Sequence, residues 1–242
     1  MNLIIDVGNT RIKAGVFDGD ELIEVHTEKL NTIDVLIEKI APGRDWSAAI
    51  ASVSVELSKV NFLSDLKSVL HVNHKTPLPI ESNYETPESL GIDRICGVVA
   101  ANIKFPNQNC LVIDIGTCIT YDVIDDQGYY QGGGISPGFE MRLKAMNHFT
   151  QRLPLVNPTS EFPSLGQSTE GSLLFGAGRG MAAEINGIIN TFKADYQGLK
   201  VILTGGGSAN FEPHLENPIF AAPNLILKGL NNILLHNQGL HA

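Results

Sequence analysis

Short runs of apolar residues, some alternating with polar ones, predict strands at about 3–7, 12–17 and 21–29, and a helix near 32–41 follows. A strand at 48–54 (AAIASVS) and a helix at about 60–70 come next. Phe62, Leu63, Leu66, Val69 and Leu70 recur at helical spacing there, with Ser58 or Asn61 placed to cap the helix. The Pro-, Ser-, Asn- and Thr-rich segment 71–90 reads as a surface connector, and a helix at about 91–104 closes the first half. The order then repeats, with strands near 110–115, 119–125 and 129–135, a break at Pro137 and Gly138, and a helix at about 139–149. Pro154, Pro158, Pro163 and Gly166 make 151–167 a loop. One long helix is expected over 168–193, then a strand, KVILTGG, ending in Gly205 to Gly207, and a last helix near 224–236. Strands first and helices behind, twice, predict an α/β protein of two related halves, 1–105 and 106–242, with mixed sheets flanking a cleft.

The repetition reaches the residues themselves. LIIDVGNTRIKAGVFDGD (3–20) and LVIDIGTCITYDVIDDQG (111–128) share a strand ending on Asp, an apolar residue, Gly, a hydroxyl-bearing turn and a second strand. The two lie about 108 residues apart, too far for a solenoid. A hairpin of this kind suits phosphate. Gly8 and Gly116 let the backbone approach closely, and backbone N–H groups with the Thr10 or Thr117 hydroxyl can donate to phosphate oxygens. Asp6 and Asp114 sit where a carboxylate can hold a cation or its water shell. One Asp-x-Gly-x-Thr alone is a common tight turn; its duplication at the same point of two repeats is what favours function.

Three further segments carry candidate chemistry. LTGGGS (203–208) ends a strand on glycines, which suits a ring or ribose against the backbone or a plain strand-to-helix turn, and GGGISPG (132–138) is another glycine-dense strand end, where Pro137 fixes φ and Gly138 can open the next helix. SLGIDRICGVVAANIKF (89–105) puts Asp93 and Arg94 in the first turn of a small-residue helix. A cation there opposes the helix dipole, which points to an anionic partner. The alternative is an Asp N-cap beside a solvated Arg.

Composition narrows the class. A net charge of -9 over 242 residues argues against a nucleic-acid binder but not against a nucleotide substrate. Cys96, Cys110 and Cys118 lack metal-ligand spacing and read as free thiols of a reducing compartment. The first residues show no signal peptide, and no apolar run reaches the ~18 residues of a membrane span. A cytoplasmic protein with no membrane partner is expected. The seven histidines do not cluster, and nucleophile-elbow, P-loop and kinase-type Gly-rich motifs are absent.

Taken together, the duplicated strand–Asp–Gly–Thr hairpin resembles the actin, Hsp70 and sugar-kinase superfamily. Within it the chain is similar to the type III pantothenate kinases over almost its whole length. The resemblance rests on DVGNTRIK (Asp6 to Lys13), Tyr84 followed by LGIDR (Leu90 to Arg94), DIGT (Asp114 to Thr117) and GGGISPG (Gly132 to Gly138). It continues through Thr150 with Leu153 and Pro154, GQST (Gly166 to Thr169) and LTGG (Leu203 to Gly206). It implies ATP-dependent phosphorylation of the 4′-hydroxyl of pantothenate, with Mg²⁺ and a monovalent cation, K⁺ or NH₄⁺. It also implies that Asp6, Val7, Gly8, Asn9, Thr10, Arg11, Ile12 and Lys13 hold the ATP phosphates and that Thr117 touches ATP. Asp93 is implied as the general base, and Tyr84, Gly91, Ile92, Asp93, Arg94 and Thr169 as pantothenate contacts. Asp114 is the implied cation ligand. The active unit implied is a homodimer, and the apolar surface of 168–193 (Leu173, Leu174, Phe175, Ile185, Ile188, Ile189) fits one, with Thr169 reaching the partner's pocket. The chain departs from the family pattern at Cys118, where Ala is more frequent, and at Ser168, where Asn is. Two rival readings remain: another small-molecule, sugar-type kinase, which would want a loop rich in Asn, Glu and His, and a catalytically silent ATP-binding regulator, which would be expected to lose Asp93 or one hairpin.

Overall fold

The computed structural model describes residues 1–8, 11–29, 33–40, 43, 45–52 and 66–240. In chain order the first elements are β1 (Asn2–Val7), β2 (Arg11–Asp18), β3 (Glu21–Lys29), α1 (Ile33–Ile40), β4 (Ser47–Ser52), β5 (Ser68–His71), β6 (Glu81–Ser82) and α2 (Ile92–Lys104). Then come β7 (Cys110–Ile115), β8 (Cys118–Ile124), β9 (Tyr129–Pro137), α3 (Phe139–His148), α4 (Thr169–Leu174), α5 (Gly180–Asp195), β10 (Lys200–Thr204), α6 (Ser208–Phe211), β11 (Phe220–Ala221) and α7 (Leu225–Leu240).

The chain forms two compact units. The first comprises Met1–Pro106, Gly128–Tyr130 and the chain from Asn224 onward; the second comprises Asn107–Gln127 and Gln131–Pro223. In the first unit a five-stranded sheet runs β3-β2-β1-β4-β5. The β1–β2 and β2–β3 pairs are antiparallel, and β4 and β5 extend the sheet in parallel. β1 lies at its centre, which is why it reads as a continuous apolar run; Leu3, Ile4 and Ile5 are fully buried. Leu3, Ile5 and Val7 pack with Ile12, Ala14, Ala48, Ile50 and Leu36 of α1. α7 packs on α2, β1 and β4. A Cβ on Gly229 would stand 1.8 Å from the Cys96 carbonyl oxygen, so α7 and α2 touch backbone to backbone. The buried Asn231 fixes this arrangement, accepting from Asn2 Nδ2 at 2.9 Å and donating to the Gly19 carbonyl at 2.9 Å. The expected division put everything after residue 105 in the second half. The last helix instead belongs to the first unit, because its apolar face completes that unit's core.

The second unit's sheet runs β11-β10-β7-β8-β9. Leu111, Ile113 and Ile115 of β7 join Met181, Ile185 and Ile189 of α5 in its core. The irregular segment 151–167 is anchored by Phe162, whose ring meets Phe139, Phe211 and His214 at centroid distances of 5.3, 5.2 and 4.7 Å.

Two expected elements differ. The helix at 60–70 falls partly outside the described residues, but Ser68–His71 is a strand paired with β4; adding a parallel edge outweighed the helical spacing of Val69 and Leu70. The long helix expected over 168–193 differs only in its hydrogen bonding: it runs unbroken from Thr169 to Asp195 with a π-helical turn at Phe175–Arg179, the sequence FGAGR, between α4 and α5. Gly178 leaves room there for the Phe162 ring, which a Cβ would approach to 2.4 Å. The last residues expected in the 48–54 strand, 53 and 54, lie outside the described residues.

Candidate active site

The two hairpins have related but unequal turns. In the first, Asp6 pairs with Lys13 and Val7 with Ile12, and Gly8 N–H donates to the Arg11 carbonyl at 3.0 Å. In the second, Asp114 pairs with Thr120 and Ile115 with Ile119, and Gly116 N–H donates to the Cys118 carbonyl at 2.8 Å. The second turn is therefore one residue shorter, an offset that matching the motifs alone passes over. Asn9 and Thr10 lie outside the described residues. Val7 and Ile12 are each 1 % exposed and belong to the core, so only their backbone can face a ligand. Arg11 and Thr117 are exposed.

Asp6 is the electrostatic centre of the first unit. Burial first, and then the negative charge of Asp93, push its carboxyl from 3.8 up to about 6, against the pull of Lys13. Cys96, fully buried, has its thiol pushed up by burial and by both carboxylates. Two acidic groups held this close, with a lysine beside them, form a site that gains from a cation. Lys13 is itself directed by a 3.3 Å hydrogen bond from Nζ to Asn224 Oδ1. Mg²⁺ fits this donor set, since it takes one or two carboxylates and completes its shell with phosphate oxygens and water. Among the described residues no group of three or more His, Cys, Asp or Glu could hold a metal by itself.

The start of α2 brings together most of the proposed acceptor residues. Gly91 is the N-cap, with no side chain to offer, and Asp93 is the second helical residue. The expected alternative of an Asp N-cap is thus replaced by a glycine cap. Asp93 Oδ1 accepts from Arg94 N–H at 2.9 Å. A Cβ on Gly91 would lie 2.5 Å from the same oxygen, so glycine at 91 keeps space for the Asp93 carboxylate. Arg94 is only 6 % exposed, which overturns the solvated alternative. Its Nη1 reaches the Tyr84 hydroxyl at 3.5 Å, and its guanidinium lies 5.7 Å from the Tyr84 ring centroid. Tyr84 stacks in turn on Tyr130 at 5.9 Å. Ile92 is half-buried beside them.

In the second unit Asp114 is half-buried at the end of β7, level with Thr204 of β10. The glycines after Thr204 are packed against it. Gly205 has φ +92°, and a Cβ there would meet Asp114 Oδ1 at 2.3 Å and the Ile115 carbonyl oxygen at 2.5 Å. Gly207 N–H donates to the Ile115 carbonyl at 2.9 Å. These glycines suited either a ring or ribose or a plain strand-to-helix turn; in the structure Gly205 makes room for the Asp114 carboxylate. Gly138 does the same for the turn, donating to the Thr117 carbonyl at 3.1 Å. Thr169 opens α4, which Ser168 caps by accepting from Gly171 N–H at 3.0 Å. An open depression lined by Leu153, Gly166, Gln167, Ser168, Thr169, Ser172 and Leu173 lies there.

This mixed α/β fold is shared with solved kinase and activator structures of low sequence identity. A solved activator of 2-hydroxyisocaproyl-CoA dehydratase from Clostridium difficile, with bound ADPNP, shares the fold at a TM-score of 0.51 and 10% identity, covering 100% of this chain and 97% of its own. A Campylobacter jejuni structure assigned to a Baf family of transcriptional activators shares it at a TM-score of 0.63 and 23% identity, covering 98% and 99%. Residues 2–191 match the family model for type III pantothenate kinase. A type III pantothenate kinase of Bacteroides fragilis is 44% identical over 243 residues, covering 99% of each chain. The chain belongs to the type III pantothenate kinase family.

Proposed function

We propose that this protein transfers the γ-phosphoryl group of ATP to the 4′-hydroxyl of pantothenate, the first step towards coenzyme A. Family membership over nearly the whole chain supports the reaction, and the observation that carries the site is the Asp6–Asp93 pair beside the buried Arg94. Phosphoryl transfer needs positioning and charge neutralisation rather than covalent chemistry. Asp6 to Lys13 hold ATP phosphates, the first through Mg²⁺, and Thr117 adds its hydroxyl. Mg²⁺ supplies neutralisation of the charge that develops on the phosphoryl oxygens. Asp93 orients the acceptor hydroxyl and takes its proton late in the transfer. Arg94, held by Tyr84, receives the pantothenate carboxylate, a partner suited to a guanidinium. Gly91 and Ile92 shape that pocket, Thr169 contacts pantothenate, and Asp114 ligates K⁺ or NH₄⁺. A cytoplasmic setting suits the free thiols of Cys96, Cys110 and Cys118. Among the described residues no helix is long and apolar enough to cross a membrane.

A coupled assay tests the reading. ATP and pantothenate should give turnover, rising several-fold when K⁺ or NH₄⁺ replaces Na⁺ at fixed ionic strength. Equal rates in the three salts would remove the cation from Asp114. Turnover of sugars in place of pantothenate favours the sugar-kinase rival, and no turnover in any salt favours the silent regulator.

A homodimer is part of the same proposal, but its support has moved. Leu173, Ile185 and Ile189 are spent in the second unit's own core, and Leu174 and Ile188 pack against it. What remains exposed among the described residues of that unit is Ile135, Phe149, Leu155, Leu165, Phe175 and Phe220, with Phe149 82 % and Leu165 67 % exposed. Such side chains favour a partner surface where they adjoin one another in a patch. Light scattering at micromolar concentration should give twice the chain mass; a fully active monomer would refute the dimer.

A further inference from the structure

Arg142, Glu184 and Tyr121 have no part in the chemistry just proposed, yet they form a connected polar cluster in the second unit. Arg142 on α3 donates through Nε to the Pro137 carbonyl at 2.8 Å and through Nη2 to Ser136 Oγ at 3.0 Å. The same Nη2 donates to Glu184 Oε2 on α5. Tyr121, on the strand that returns from the Thr117 turn, donates to Glu184 Oε1 at 2.9 Å. Burial alone would raise the Glu184 carboxyl, but hydrogen bonds from Arg142, Tyr121 and Ser136 together hold it below its ordinary value. Burial and the Glu184 bond push the Tyr121 phenol up, so it stays a donor.

The cluster grips the second hairpin from two directions. Tyr121 holds β8 directly. Arg142 holds Ser136 and Pro137, and the next residue, Gly138, donates its N–H to the Thr117 carbonyl at 3.1 Å. No slack exists at that junction: a Cβ on Gly138 would lie 2.4 Å from the Gly116 carbonyl oxygen and 2.5 Å from that of Thr117. A shift of the Ser136–Gly138 segment therefore passes straight into the Thr117 turn.

We infer that Arg142 and Glu184 are positioning residues for nucleotide binding, setting the Thr117 turn through the Ser136–Gly138 segment. The inference rests on the role proposed above for Thr117. It explains why the cation is Arg. A lysine ammonium standing where Nη2 does has donors for Ser136 and Glu184 but no second nitrogen for the Pro137 carbonyl, whereas the fork with separate Nε and Nη2 donors holds all three.

The test compares Arg142→Lys, Arg142→Ala and Glu184→Gln with the unsubstituted protein. The readouts are melting temperature, KM for ATP, KM for pantothenate and calorimetric titration with a non-hydrolysable ATP analogue. Arg142→Lys should fold with a near-normal melting temperature. It should weaken analogue binding and raise KM for ATP by about tenfold, the scale of one lost hydrogen bond to a charged group, while KM for pantothenate moves less than about twofold. Glu184→Gln keeps hydrogen-bonding atoms towards Tyr121 and Ser136 and should lie between Arg142→Lys and the unsubstituted protein. Should Arg142→Ala fail to fold, Arg142→Lys decides alone. Unchanged analogue affinity in a folded Arg142→Lys overturns the inference, as does an equal rise of both KM values. If the unsubstituted protein ignores pantothenate, the functional proposal fails, while the calorimetric titration still decides this one.

Discussion

Asp93→Asn should turn over at least ~100-fold more slowly than the unsubstituted protein, the usual scale for loss of a general base. Asn keeps the shape of the side chain and an oxygen able to accept from Arg94 N–H, the bond Asp93 Oδ1 makes at 2.9 Å. What it removes is the basic site and a negative charge beside Asp6. ATP affinity should fall far less than turnover, because Asp6 and its hairpin backbone are untouched and only the charge that Asp93 exerts on Asp6 is lost. Arg94→Ala should separate from it by appearing mainly as a raised KM for pantothenate. Steady-state kinetics with an ATP titration checks both. Turnover near the original level would show that Asp93 is not the base. Collapse of ATP binding together with turnover would make it a structural residue of the helix start.

Asp6→Asn should make the ligand-free protein more stable and the enzyme nearly inactive. The folded-state carboxyl titrates at about 6 against an ordinary 3.8, raised by burial and by Asp93. A carboxyl whose proton is held more tightly folded than unfolded favours the folded state fully below the lower value, and that contribution is lost as pH rises through the higher one. Above pH 6 the ionised, half-buried Asp6 therefore costs the fold about 1–3 kcal/mol. Asn has no charge to bury. Denaturant midpoints should show Asp6→Asn ahead by that amount at pH 8, less at pH 5 and level near pH 4. Turnover should fall by roughly 100-fold or more, since the charge is there to neutralise and position phosphate. A variant less stable than the original at pH 8 would contradict the burial cost, and a fully active one would remove Asp6 from the site.

Both predictions start from residues that the sequence exposed. The duplicated Asp-x-Gly hairpins were legible because a strand that ends on Asp and then Gly departs from plain apolar patterning, and it did so twice. Asp93 and Arg94 stood out because a cation in the first turn of a helix runs against the dipole. Less legible was anything set by contacts distant along the chain. Val69 and Leu70 fit a helix until β4 supplies a parallel edge. FGAGR reads as ordinary helix until Phe162 arrives from a loop and needs the space at Gly178. Gly205 left a ligand platform and a plain turn undecided because the Asp114 carboxylate it accommodates lies far earlier in the chain. The Arg142–Glu184–Tyr121 cluster gave no signal, since its members sit on three elements with no shared motif.

The position of α7 bears on how the molecule is made. Asn2 on the first strand is hydrogen-bonded to Asn231, 229 residues later. A ribosome working from the N-terminus releases β1 long before the helix that covers one of its faces exists. The whole second unit, Asn107–Gln127 and Gln131–Pro223, is synthesised in between and contains its own core. The unit begun first is thus the unit finished last. Until Leu225–Leu240 emerges, the apolar residues around Cys96 and β1 have no permanent cover, and the nascent chain must wait in that state. Long-range closure of this kind slows folding and leaves sticky surface exposed while it lasts. The buried Asn2–Asn231 pair gives the late helix a polar mark by which to find its register.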